Sequence, residues 1–148
     1  MGNRAVITTA DKRIGVYLHW NGGRDSVEAF LAYCKLKGYR PPEQDNYGWA
    51  SLCQVISNFF GGNGLSIGID EFEKLDYDNW NNGTYIIKNW EIVGREYISK
   101  DFELCEFEEQ QEYNLFEMLV DINNSQPECM QVPIEKITEF VEKYNSTW

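Results

Sequence analysis

Val16-Tyr17-Leu18-His19-Trp20-Asn21-Gly22-Gly23 reads as a buried strand that stops at a glycine pair and opens into a helix. Side chains alternate along a strand, so Ile14, Val16, Leu18 and Trp20 share one face, and Gly15, Tyr17 and His19 share the other. Upstream, the β-branched residues of 4–9 predict a partner strand, and the short polar turn Ala10-Asp11-Lys12-Arg13 predicts a hairpin. Downstream, Asp25 is placed to cap a helix, with Glu28 reaching back three residues later. Val27, Phe30, Leu31 and Cys34 keep i, i+3, i+4, i+7 spacing, and Gly38 is a natural stop.

Working outward, Pro41-Pro42 forces a connector, because paired prolines cannot continue a helix. A second helix starting at Asp45 or Asn46 carries Trp49, Leu52, Cys53, Ile56 and Phe60 along one side and ends at Gly61-Gly62-Asn63-Gly64. Strand patterns return at residues 65–69, 84–87 and 90–98, with Asn81-Asn82-Gly83 as a tight-turn signal. The order strand, strand, helix, helix, strand, strand, strand predicts an α+β fold: an antiparallel sheet of about five strands packed by two helices. Residues 108–123, and Ile134, Ile137, Phe140, Val141 and Tyr144 after Pro133, predict a C-terminal helical pair.

Charge divides the chain. Residues 1–100 carry 11 Lys/Arg against 12 Asp/Glu, whereas residues 101–148 carry 2 against 12. The reading is an α+β domain over 1–100 and an acidic helical extension over 101–148. Hydrophobic content of 43% and aromatic content of 15% exclude a disordered chain. No apolar run is long enough for a membrane span and no secretory segment opens the chain, so the expectation is a cytoplasmic protein. The four cysteines, Cys34, Cys53, Cys105 and Cys129, form no C-x-x-C pair, and one histidine cannot complete a zinc pattern. Neither a metal nor another cofactor is expected.

Several residues could carry chemistry. Gly22-Gly23-Arg24 has the polarity of an anion cradle: strand, glycines, helix N-terminus and an adjacent cation. With His19 and Asn21 it makes a candidate small-ligand site for a nucleotide or other phosphate. It lacks the spacing of a P-loop or dinucleotide motif, and a turn needing positive φ is the competing explanation of the glycines. A Cys53–His19 hydrolase pair is the third reading, weakened because Cys53 sits mid-helix on an apolar stripe. No residue is assigned a catalytic role. Glu103, Glu106, Glu108, Glu109, Glu112 and Glu117 form the acidic surface that could occupy a basic groove on a protein partner. The alternative is a solvated helix face that maintains solubility. Trp49, Tyr77, Trp80, Tyr85 and Trp90 could stack on a planar ligand, but without a basic patch among them they read as core, which argues against direct nucleic-acid binding.

The segments 15–27 (GVYLHWNGGRDSV), Tyr47-Gly48-Trp49-Ala50 and Asn58-Phe59-Phe60-Gly61-Gly62 resemble those of small bacterial proteins of uncharacterised activity, many encoded on phages and mobile elements. The resemblance covers residues 1–98 and implies no activity, fold or catalytic residue. It implies a context in which small acidic proteins serve as inhibitors or accessory binders. The resulting expectation is a non-enzymatic binding or accessory protein.

Overall fold

The structure, a computed structural model, describes residues 3–61, 66–77, 79, 81–96 and 114–146. β1 (Ala5–Thr8) and β2 (Ile14–Leu18) form the expected hairpin, in register from Ala5↔Leu18 to Thr8↔Gly15. Its turn closes through the Lys12 N–H on the Thr9 carbonyl, and the Thr9 hydroxyl donates to Asp11 at 2.7 Å. Then come α1 (Arg24–Leu36), α2 (Tyr47–Phe60), β3 (Ile67–Glu71), a 3-10 turn at Phe72–Lys74, β4 (Thr84–Lys88) and β5 (Glu91–Glu96). Two more helices, α3 (Leu115–Ser125) and α4 (Ile134–Ser146), flank a 3-10 turn at Glu128–Met130. The class is α+β, as the pattern of elements predicts.

The strand order is β3-β2-β1-β4-β5. Every neighbouring pair is antiparallel except β1 and β4, which run parallel from Val6↔Thr84 to Thr8↔Ile86. This departs from the all-antiparallel expectation, and the connection after β3 is the cause. Being antiparallel to β2, β3 runs in the direction of β1. To place β4 beside β1 in that same direction, residues 72–83 must travel back along the sheet. Leu75 of that connection lies on the face opposite the helices. A Cβ on Gly15 would lie 2.9 Å from Leu75 Cδ1 and 3.1 Å from the Ile7 carbonyl, so the glycine leaves the space that Leu75 occupies.

Asn81-Asn82-Gly83 is accordingly a strand start rather than a hairpin turn. The Asn79 side chain donates to the Gly83 carbonyl and accepts the Gly83 N–H, both at 3.1 Å. The Arg4 N–H donates to Asn81 Oδ1 at 3.2 Å, and the Asn82 N–H donates to the Arg4 carbonyl at 3.1 Å. Asparagine suits this because one short amide both donates and accepts. At the other end of β4, Asn89 and Trp90 both take left-handed φ, 52° and 61°, in the tight turn to β5. A tryptophan is costly there; burial to 3% exposure and an indole N–H bond of 2.8 Å to the Tyr39 carbonyl offset the strain.

One hydrophobic cluster lies between the sheet and the helices. Ala5, Ile7, Val16, Leu18, Tyr85 and Ile87 come from the sheet, and Phe30, Tyr33, Leu52 and Ile56 from α1 and α2. The cluster continues into the C-terminal helices through Leu115, Leu119, Ile122 and Ile137. α1 therefore has partners on two sides, which is why nine of its thirteen residues are buried. A buried polar joint locks α3 in place. Tyr33 donates to Asn123 Oδ1 at 2.8 Å, and Asn123 also bonds the Val132 N–H at 3.0 Å and the Val132 carbonyl at 2.9 Å. Gln126 donates to the Val55 carbonyl at 3.1 Å and accepts from Asn58 at 2.8 Å, tying α3 to α2. Asn114 caps α3 through the Glu117 N–H at 3.1 Å. The expected start of this helix at residue 108, and the charge step near residue 100, lie outside the described residues.

Candidate functional site

The end of β2 is held by backbone bonds. His19 donates its N–H to the Ser66 carbonyl and accepts from the Asn3 N–H, both at 2.9 Å. Its Nδ1 lies 3.0 Å from the Tyr17 hydroxyl, the neighbour that alternation places on the same face. Its ring also meets Trp20 edge-on, 5.0 Å between centroids. Asn21 makes the turn with φ of 57° and donates to Ser26 Oγ at 3.2 Å.

Neither Gly22 nor Gly23 has positive φ; the left-handed residue of this turn is Asn21. Gly22 is required for closeness instead. A Cβ there would sit 2.5 Å from the Asn3 carbonyl oxygen and 2.8 Å from Ala5 Cβ. Its N–H donates to that oxygen at 2.8 Å, and its carbonyl accepts from the Tyr85 hydroxyl at 2.7 Å. α1 then begins one residue before the expected cap. Gly23 is the N-cap and supplies no side chain, Asp25 holds the Ser26 N–H at 2.8 Å, and Glu28 pairs with Arg24 at 2.8 Å. The expected capping box is thus replaced by an i,i+4 ion pair, because Asp25 lies inside the first turn rather than before it. Arg24 and Glu28 line a cavity of about 180 Å³ with Trp90 and Tyr144. His19, Asn21, Gly22 and Gly23 are not among the walls of that cavity.

The thiols are structural in setting. Burial pushes Cys53 up to about 11 and drives fully buried Cys34 above the ordinary thiol range. Cys53 packs against the helix-side core, whereas His19 belongs to the opposite face of the sheet and has its Nδ1 beside Tyr17. Cys129 is exposed. Brief alkylation of the native protein at neutral pH, followed by peptide mass mapping, should label Cys129 before Cys53, label Cys53 slowly and leave Cys34 untouched until unfolding. Labelling of Cys53 as fast as Cys129 would contradict this environment.

Of the acidic candidates, Glu103, Glu106, Glu108, Glu109 and Glu112 lie outside the described residues. Glu117 lies exposed in the first turn of α3, where a carboxylate complements the helix dipole. The same kind of surface continues through exposed Asp121 and Glu128 to Glu135, Glu139 and Glu142. Glu117 and Asp121 are four residues apart on α3, and Glu135, Glu139 and Glu142 repeat at helical spacing on α4, so each helix shows an acidic stripe opposite its buried one.

A further cavity, about 480 Å³, opens where β1 and β4 end and α2 begins. Arg13, Ile14, Trp49, Ile87 and Lys88 are among its walls. Sequence reading placed Trp49 in the core and gave Arg13 and Lys88 no role; only the parallel pairing of β1 with β4 brings them together. What the geometry defines is a small α+β protein with a five-stranded mixed sheet, an acidic helical flank and a groove at one end of the sheet. No protein-family model, curated protein or solved structure matches the chain. Among the described residues no group of three or more His, Cys, Asp or Glu side chains is placed to hold a metal ion. No helix of those residues is long and apolar enough to cross a membrane.

Proposed function

We propose that the chain is a non-enzymatic binding protein whose acidic C-terminal segment, from Glu103 through Glu117 and on along α3 and α4, engages a basic surface on a protein partner. One observation carries this reading: exposed carboxylates stand on helices fastened to the core by the Tyr33–Asn123–Val132 joint, in a chain of net charge −11. A fixed array of charge meets a partner without the ordering cost of a flexible tail. It also speeds encounter and repels nucleic acid. The ion pairs Lys12–Glu96 and Lys35–Glu91 engage two carboxylates of β5. A role as an inhibitor or accessory factor within a mobile element fits this chemistry.

The test is titration with a fluorescent deca-lysine peptide across a salt series. Affinity should fall about tenfold or more between roughly 50 and 200 mM salt, as exposed charges become screened. Affinity that does not change with salt would contradict an electrostatic interface.

A further inference from the structure

We infer that the groove at the carboxyl ends of β1 and β4 is a binding site for a small planar ring bearing one anionic group, a carboxylate or a phosphate. The position follows from topology. β1 and β4 are parallel neighbours, and the chain leaves them in opposite directions, from β1 to β2 on one side and from β4 to β5 on the other. Divergence of this kind opens a crevice beyond the strand ends that helices on the sheet face do not fill. Here the crevice is about 480 Å³, the size of a small-ligand site.

The lining sets the chemistry. Trp49, in the first turn of α2, is 7% exposed, and its indole N–H has no hydrogen-bond partner among the described residues. With Ile87 and half-exposed Ile14 it supplies an apolar wall for a flat ring and one donor within it.

The charged groups sort into two sets. Each carboxylate on the rim is already held by the protein. Asp11 accepts from the Thr9 hydroxyl and the Arg13 N–H, Glu43 accepts from the Asn89 N–H, and Asp45 pairs with Arg40 and accepts the Tyr47 N–H. The rim cations Arg13 and Lys88 are exposed and within 4.0 Å of no carboxylate among the described residues; the Arg13 charge also acts on neighbouring Asp11, which leaves Lys88 as the less engaged of the two. The start of α2 is already served by Asp45, whose carboxylate accepts the Tyr47 N–H at 3.0 Å and whose carbonyl accepts the Gly48 N–H at 3.2 Å, so the anionic group is left to the two side-chain cations. A ring against Trp49 with its anionic group toward Arg13 and Lys88 satisfies both sets.

Four probes separate the parts: indole-3-acetate and adenosine 5′-monophosphate, with uncharged indole and adenosine as their counterparts. Binding is followed by amide chemical shifts and calorimetry on the full chain. At least one anionic probe should bind about tenfold or more tighter than its uncharged counterpart and perturb the amides of Thr9, Trp49 and Lys88. The double substitution Arg13→Ala/Lys88→Ala, at exposed positions outside the core, should reduce the anionic probe to the affinity of its counterpart. Which probe binds distinguishes a carboxylate from a phosphate as the recognised group. The inference is overturned if neither anion binds at millimolar concentration, if charged and uncharged probes bind alike, if the double substitution changes nothing, or if the shifts fall at residues 19–24 instead.

Discussion

Asn123→Ala is expected to cost about 4 kcal/mol of stability, one of the two largest effects the structure predicts. Asn123 is 7% exposed and is the shared partner of three groups: the Tyr33 hydroxyl, the Val132 N–H and the Val132 carbonyl. Removing it deprives all three of their partner at once, and each buried polar group left without one costs about 1–3 kcal/mol. The loss should reach beyond α3, because Val132 positions the start of α4 and Leu119, Ile122 and Ile137 share the core cluster with the sheet. Tyr33→Phe is the informative partner substitution. It removes one donor while Asn123 Oδ1 keeps the Val132 N–H, so the expected loss is nearer about 1 kcal/mol. Urea unfolding of the two variants measures both values. Equal losses would contradict the assignment of Asn123 as the joint.

Gly22→Ala should cost about 3 kcal/mol, for a reason unrelated to backbone freedom. Alanine can adopt the φ of Gly22, which is not positive. The obstacle is the 2.5 Å approach to the Asn3 oxygen and the 2.8 Å approach to Ala5 Cβ, both on the chain entering β1. Relief requires separating that chain from the start of α1, which also lengthens the 2.8 Å bond to Asn3 and the 2.7 Å bond from Tyr85. Gly68→Ala is the control. Nothing lies within 4 Å of a Cβ at Gly68, so that variant should be neutral or slightly stabilised. Thermal unfolding of the pair, with near-wild-type behaviour for Gly22→Ala, would refute the steric account.

These two positions also show what could be read from the sequence. Asn123 lay on the predicted C-terminal helix, and Gly22 lay at the predicted junction of strand and helix, because periodicity and glycine punctuation are local signals. Their partners were hidden, since Tyr33 is 90 residues from Asn123 and Tyr85 is 63 from Gly22. The same division explains the sheet. The hairpin, both sheet-covering helices and the last two strands were legible from alternation and spacing. The parallel pairing of β1 with β4 was not, because no pattern within a strand names its neighbour. Asn81-Asn82-Gly83 carried a genuine turn signal, but its side chains bond to Arg4 across the sheet rather than closing a hairpin. Arg13, Trp49 and Lys88 come from three separate elements, so the groove follows from topology that local reading could not supply.

The central claim is that binding resides on the acidic helical flank and not merely in net charge. Two variants of equal net charge separate these possibilities. One neutralises Glu117, Asp121, Glu135 and Glu139 on α3 and α4; the other neutralises Asp70, Glu71, Glu73 and Glu91 on the sheet side, all eight being exposed. Their affinities for the deca-lysine peptide at low salt are the measurement. A loss of about tenfold, about 1.4 kcal/mol, confined to the helical variant is the predicted result. Equal losses in the two variants, or a larger loss in the sheet variant, would contradict it.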